Sequence, residues 1–363
     1  MKTNKVSLGG SGITKQIFIG GDAPVSLQTM WKDSIVDVCE NDEKLDSILK
    51  QINEMSLLGC DIIRFAVPDI PSAKSLVKIA ERTSMPLVAD IHFDYRLALE
   101  CLKGNVAAIR INPGNIGSEE NTKKVVDACR EKNAAIRIGI NSGRLPKDVQ
   151  EKIALGKISR AEAICETAVR EVEIFDRLKF DQVVVSMKSS SVSETIESNR
   201  FFASKYNIPL HLGVTEAGPL IGGIVKSSIA FSTLLSEDIG NTIRVSLSSS
   251  PENEVIAGLE ILKECGKRKG GVRIVSCPRC GRVGFDVHAF VDRWQKELLS
   301  LNKDITVAVM GCVVNGPGEG KHADIGIAGA TDKVIIFKKG KIVQTIDPKD
   351  ADNAFREQLN QLL

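Results

Sequence analysis

The sequence predicts a (β/α)₈ barrel of the TIM type followed by a small α+β domain. Three observations carry this. Eight short β-branched runs alternate with longer amphipathic stretches, a charged Gly-rich segment then breaks the pattern, and beyond it cysteines punctuate the ends of further runs. With 363 residues and 43% hydrophobic composition the chain can bury a full core, and its length exceeds what one core usually spans. Two domains are expected, 1–265 and 266–363.

Ahead of the barrel, Val6-Ser7-Leu8-Gly9-Gly10 and Ile17-Phe18-Ile19-Gly20-Gly21 read as a hairpin placed to plug its bottom. The barrel strands fall at 25–28, 62–67, 87–91, 108–112, 135–140, 182–187, 210–214 and 242–247. Helical spacing joins them, as in Leu45, Ile48, Leu49, Ile52, Met55 and Leu58 ending near Gly59, or in Ala161, Ile164, Ala168, Val172 and Phe175. Eight such units over about 230 residues suit a barrel, whose usual size is about 250. A doubly wound sheet usually has fewer strands and a Gly-rich first turn, and no GxGxxG opens a helix here.

Catalytic groups of barrel enzymes sit at the C-terminal ends of the strands. The polar residues there are Arg64, Asp90 and His92, Arg110 and Asn112, Arg137 and Asn141, Ser186 and Lys188, His211 with Thr215 and Glu216, and Arg244 with Ser246. Arg64, Arg110, Arg137, Lys188 and Arg244 come from five different strands. Gathering like charges is costly unless an anion neutralises them, so the expected ligand carries phosphate, and a diphosphate suits the charge. Glu216 beside such a ligand is awkward unless it handles a proton, which assigns it general acid or base work.

The formal charge of +2 argues against a general basic field and against bulk nucleic-acid binding. The N-terminus has no apolar signal region, and no segment approaches a membrane-spanning length of apolar residues, so a cytoplasmic protein is expected. Nine cysteines, an odd number, read in that reducing setting as buried small hydrophobes or metal ligands rather than disulfides. Cys39, Cys60, Cys101, Cys129 and Cys165 sit singly and take the first reading.

The linker is Lys263-Glu264-Cys265-Gly266-Lys267-Arg268-Lys269-Gly270-Gly271. Two strands follow, 272–276 running into Cys277-Pro278-Arg279-Cys280 and 305–310 running into Gly311-Cys312. A hairpin over 333–346 and a terminal helix from 351 complete the second domain. Each thiol group thus lies on a turn after a strand, where backbone N–H groups are free to donate to sulfur. Three thiols leave a tetrahedral ligand set one short, with Cys265, His288, Glu319 and His322 as candidates. Zinc would accept Cys277, Cys280, Cys312 and His322 as a closed structural site. An iron–sulfur cluster takes four thiolates or a substitute. Asn315-Gly316-Pro317-Gly318 is a turn sequence that can return the Glu319 carboxylate toward the metal, leaving one exchangeable position. The CxxxCxxC of radical adenosylmethionine enzymes is absent.

The order of these motifs resembles the 4-hydroxy-3-methylbut-2-enyl diphosphate synthase family of the methylerythritol phosphate route to isoprenoids. The likeness is carried by Pro24-Val25 with Gln28-Thr29-Met30, Arg110-Ile111-Asn112-Pro113-Gly114-Asn115, Arg137-Ile138-Gly139-Ile140-Asn141, Leu212-Gly213-Val214-Thr215-Glu216-Ala217-Gly218, Cys277-Pro278-Arg279-Cys280-Gly281-Arg282 and Gly311-Cys312-Val313-Val314-Asn315-Gly316-Pro317-Gly318-Glu319. The resemblance implies a [4Fe-4S] cluster on Cys277, Cys280, Cys312 and Glu319. It also implies reductive opening and dehydration of 2-C-methyl-D-erythritol 2,4-cyclodiphosphate with electrons from flavodoxin or ferredoxin. The shorter, two-domain form is the one resembled, and it implies a homodimer in which each cluster domain caps the partner's barrel. Two rivals are a cluster-dependent dehydratase without net reduction and a phosphate-binding protein stapled by zinc.

Overall fold

A computed structural model of the protein describes every residue except 1, 279–283, 314, 315 and 317. The chain divides into two compact units, Met1–Arg268 and Lys269–Leu363. Arg268 belongs with the first because its guanidinium pairs with Asp61 at 2.5 Å.

The first unit opens with β1 (Lys5–Leu8) and β2 (Ile17–Gly20), an antiparallel hairpin. Its Val6, Leu8 and Ile19 pack on Ile62, Val88, Ala108, Ala135 and Val184, at the N-terminal ends of the barrel strands, so the hairpin floors the barrel. The strands are β3 (Ser26–Met30), β4 (Ile62–Ala66), β5 (Leu87–Asp90), β6 (Ala108–Ile111), β7 (Ala135–Asn141), β8 (Val183–Lys188), β9 (His211–Leu212) and β10 (Thr242–Ile243). All are parallel, in the order β8-β7-β6-β5-β4-β3-β10-β9, and a bridge between Val185 and Leu210 closes the ring.

Around them lie α1 (Asp42–Leu57), α2 (Ile70–Ala80), α3 (Tyr95–Cys101), α4 (Glu119–Lys132), α5 (Lys147–Ala154), α6 (Arg160–Arg177), α7 (Val192–Ala203), α8 (Leu220–Ser236) and α9 (Pro251–Glu264). The step between β7 and β8 holds two helices because Gly156, at φ 67°, ends α5, and a Ser159/Glu162 capping box starts α6 afresh. The runs at 210–214 and 242–247 form ladders of only two residues each. Just past them single bonds continue, Thr215 N–H to the Ser189 carbonyl and Arg244 N–H to the Leu212 carbonyl, each at 3.0 Å, and farther on the Leu247 N–H donates to the Glu254 carboxylate at 3.1 Å. Among the described residues no helix is long and apolar enough to cross a membrane.

The second unit is a sheet of β11 (Arg273–Ser276), β12 (Thr306–Met310), β13 (Ile325–Ala330), β14 (Lys333–Lys338) and β15 (Lys341–Ile346), in that order. The first three are parallel and the last two antiparallel. Helices α10 (Val287–Leu299) and α11 (Ala351–Asn360) cover one face, packing Phe290, Trp294 and Phe355 on Val307, Val309, Ile325, Ile327, Val334 and Ile336. The other face carries Ala308, Met310, Ala328, Ile335 and Phe337. Strand β13 and helix α10 are additions to the sequence reading. Ile-Gly-Ile-Ala-Gly-Ala is too small-sided to announce a central strand, yet two flanking strands bury it.

Candidate active site

Strand register sets charges side by side at one end of the barrel. Asp90 on β5 lies opposite Arg110 on β6, and Arg110 opposite Arg137 on β7. Asn141 lies opposite Lys188 on β8. With Arg64, His92, Ser186, Thr215, Glu216, Arg244 and Ser246 these residues line a cavity of about 280 Å³. A neighbouring cavity of about 490 Å³ shares His92, Arg110, Asn141, Thr215 and Glu216 and adds Asn112, Arg144 and Arg160. The Asn112 side chain also accepts the Gly114 N–H at 3.0 Å, which caps the short turn after β6. His211 lines neither cavity. It is fully buried, with Nδ1 3.4 Å from Thr242 Oγ1, and burial followed by the Arg137 and Lys188 charges holds its imidazole neutral.

Two glycines make room for the cations. A Cβ on Gly139 would strike the Arg110 guanidinium, and one on Gly213 would lie 2.6 Å from Lys188 Nζ and 2.7 Å from its Cε. The long side chains therefore cross the barrel over bare backbone of the next strand. Glu216 stands at φ 50°, left-handed space that costs a residue with a Cβ about 1–2 kcal/mol and that concentrates at functional sites.

Counting charge pairs separates the five cations. The Asp90 carboxylate takes Arg110 Nη1 at 3.1 Å and Arg64 Nε at 3.5 Å. Burial opposes its ionisation, but the Arg64 and Arg110 guanidiniums outweigh that and hold it at about 2. Arg244 makes a two-pronged contact with Glu254 at 3.1 and 3.0 Å, and Lys32 joins at 3.1 Å. Arg137 has only the Gln28 amide oxygen, at 2.7 Å, and its Nε and Nη2 are buried without a partner. Among the described residues neither Arg137 nor Lys188 meets a carboxylate. Burial, then the surrounding guanidiniums, presses both toward losing their protons. Such a mouth is short of negative charge, which is what an anionic ligand would supply.

Gln28, quoted above only within a family motif, and Glu254 were not among the site residues read from the sequence. Glu254 is fully buried on the first turn of α9, and it also accepts the Thr29 hydroxyl at 2.9 Å. An acid in a first helical turn looks like an ordinary exposed cap neighbour, so nothing local marks it.

In the second unit, β11 and β12 run parallel with Ser276 opposite Val309, so Cys277 and Cys312 emerge at the same end of the sheet. Both are partly buried, and Cys277 Sγ accepts the Gly311 N–H at 3.1 Å. Backbone N–H donors to sulfur are usual around iron–sulfur clusters, so Cys277 and Cys312, the two described thiols of the set, suit such a group. Cys280 lies outside the described residues. Glu319 opens a 3-10 turn, Glu319–His322, and its side chain is likewise outside the described part. Of the solitary cysteines, Cys60, Cys101, Cys129 and Cys165 are buried as expected, and Cys39 is exposed. Burial raises the Cys60 and Cys101 thiols to about 12, which keeps them inert.

Comparison with known proteins agrees with this division. Residues 11–259 match the family model described as GcpE TIM-barrel domain, and residues 273–361 the GcpE protein C-terminal domain. A Treponema denticola protein named 4-hydroxy-3-methylbut-2-en-1-yl diphosphate synthase (flavodoxin) is 56% identical, covering 98% of this chain and 98% of its own length. Proteins of the same name from Treponema pallidum and Clostridium acetobutylicum are 56% and 47% identical, over 99% and 98% of this chain and 92% and 98% of their own lengths. With both domain models matched in order and relatives of this likeness aligned end to end, the chain belongs to the GcpE family.

Proposed function

We propose that the protein converts 2-C-methyl-D-erythritol 2,4-cyclodiphosphate to 4-hydroxy-3-methylbut-2-enyl diphosphate, as an iron–sulfur oxidoreductase of isoprenoid biosynthesis served by flavodoxin. The observation that carries this reading is the barrel mouth, where Arg137 and Lys188 are buried with no carboxylate partner among the described residues. The name shared by full-length relatives supplies the product and the electron donor. Buried, inert thiols suit the cytoplasmic setting that the reading includes.

The reaction takes in two electrons and a proton and releases water. Opening the ring breaks the tertiary carbon–oxygen bond and leaves that oxygen on the diphosphate, which gains one negative charge. Arg64, Arg110, Arg137, Lys188 and Arg244 face that charge as it develops. Because two of them lack an internal counter-ion, their attraction strengthens along the reaction instead of binding substrate and transition state equally. Asn141, Ser186, Thr215 and Ser246 line the same cavity as hydrogen-bonding groups for the diphosphate and the hydroxyls. His92 lies 3.8 Å from Asp90, and burial lowers its pKa although Asp90 pulls the other way, so it serves as a neutral hydrogen-bonding partner. His211 supports the layer beneath. Glu216, at the wall common to both cavities, delivers the proton with which the carbon-three hydroxyl leaves as water. A [4Fe-4S] cluster held by Cys277, Cys280, Cys312 and Glu319 supplies, when bound, the electrons singly and a Lewis-acidic iron.

The direct test is anaerobic turnover of the cyclodiphosphate with and without reduced flavodoxin. Diphosphate product that requires reductant is expected, and turnover indifferent to reductant would replace the reading by the simple dehydratase. Full-length protein purified without oxygen is expected to be brown, and a colourless zinc protein would end the cluster assignment.

The same reading includes a homodimer in which the cluster domain of one copy serves the barrel of the other. Mixed dimers of Glu216→Gln and Cys312→Ala protomers test it. With a partner's cluster serving each barrel, remixing two inactive variants restores about a quarter of wild-type activity, since half the dimers are mixed and each has one intact pair. No recovery would place the barrel and cluster of each site in one chain.

A further inference from the structure

The turn after β12 is propped from β14. Phe337 is fully buried and lies opposite Gly326 in the β13/β14 ladder, where a Cβ on Gly326 would overlap its ring. The ring therefore lies across β13 and reaches the chain beyond β12. There a Cβ on Gly320 would come within 2.9 Å of its Cζ and 3.0 Å of its Cε2, and one on Gly316 within 3.6 Å of its Cε1. None of these three glycines has a positive φ. The close approach of one ring, not backbone conformation, is what excludes side chains at Gly320 and Gly326.

Above the ring, backbone hydrogen bonds tie the described residues Cys312, Gly316, Gly320 and Ala323 to one another. Gly316 N–H donates to the Cys312 carbonyl, Gly320 N–H to the Gly316 carbonyl and Ala323 N–H to the Gly320 carbonyl, each at 2.9 Å. Moving Gly320 thus moves the backbone back to Cys312.

We propose that Phe337 is a positioning residue for the iron–sulfur cluster. By filling the space beneath Gly316 and Gly320 it sets how far these two residues stand from the sheet, and so, through the Gly316 bond to the Cys312 carbonyl, the spacing between Cys312 and the point where Glu319 leaves the chain. This rests on the ligand assignment made above. A smaller side chain leaves a void into which the turn settles, and a side chain on Gly320 lifts it. Either displacement misaligns one ligand against the others.

The experiment uses the full chain, reconstituted anaerobically, as wild type, Phe337→Leu, Gly320→Ala and Phe355→Leu. Phe355 is the control: it is equally buried, but in the helix-covered face, edge-on to Phe290 at 5.2 Å and to Trp294 at 4.9 Å. Iron content, the paramagnetic resonance spectrum of the reduced cluster, iron release to a chelator and thermal midpoint are read for each. Phe337→Leu and Gly320→Ala are expected to load iron, to shift the resonance g-values and to release iron roughly tenfold faster, the scale of a lost supporting contact around a metal. Phe355→Leu is expected to lower the thermal midpoint and leave spectrum and release rate at wild type. An unchanged spectrum and release rate in Phe337→Leu, or the same changes in Phe355→Leu, overturns the proposal. If Phe337→Leu does not accumulate as folded protein, Gly320→Ala, which keeps the ring, decides by the same criteria. A wild-type protein that binds no cluster under these conditions overturns the ligand assignment itself, and the proposal with it.

Discussion

Glu216 and Glu171 show how differently two carboxyls of one barrel are placed. Glu216 is exposed to the site cavities on strained backbone, a placement that suits the proton donor proposed above. Glu216→Gln is expected to keep cluster content and substrate affinity and to lower kcat by about a hundredfold or more, the usual share of one acid–base group. Unchanged turnover at saturating substrate would remove it as the donor. Glu171, on α6, is buried with one oxygen lacking a partner, and burial raises its carboxyl from 4.5 to about 7. The folded protein then holds a proton that the unfolded chain has released. The stability it carries is complete below about pH 4.5 and is lost as pH rises through about 7. Glu171→Gln keeps the shape without that liability. Thermal melts should place the variant above wild type at pH 8, by on the order of 3 kcal/mol, with the gap closing toward pH 4.5. A gap that is the same at both pH values would sink the assignment.

Among the elements, the strands of the barrel are arranged to let long cations lie over glycine. Lys188 on β8 extends across Gly213, just past β9, and a methyl group there would have to push the ammonium aside. Gly213→Ala is therefore expected to fold, since its φ is ordinary, while raising KM for the diphosphate substrate by roughly tenfold or more through loss of one charge-assisted contact. Unaltered KM with lowered stability would mean that Lys188 does not hold the ligand. The positions of the eight strands were legible because each combines a β-branched run with a polar residue at its end. The length of β10 was not, because the Leu247 N–H at the far end of its run is taken by the Glu254 carboxylate of the helix that follows, a contact that no local pattern announces. In the second unit β13 escaped notice because its glycines answer to neighbours rather than to any local preference, Gly326 making way for the Phe337 ring and Gly329 for the backbone of Gly284 and Gly311.

For the whole molecule, the mouth of the barrel is a store of unrelieved positive charge that the fold tolerates until an anion arrives. Inorganic diphosphate should therefore stabilise the full-length protein, with a thermal midpoint that rises with ligand concentration and gains about 2.7 kcal/mol of stability at a hundred times the dissociation constant. The gain should shrink with added salt, and diphosphate that leaves the midpoint unmoved would contradict the charge count.

The sequence by itself determined the barrel, the strand ends that bear cations, the thiol-bearing turns and the family, because each is written in local periodicity or in residues close together along the chain. Only the tertiary structure decided which cations are neutralised. Asp90 and Glu254 claim Arg64, Arg110 and Arg244, whereas among the described residues Arg137 and Lys188 meet no carboxylate, and His211 is buried and lines neither cavity. Those outcomes depend on strand register and on a helix some ten residues past the last strand meeting the first. The physical reason is that a carboxylate neutralises whichever cation lies within a few ångströms of it, and proximity of that kind is set by closure of the barrel, not by order in the chain.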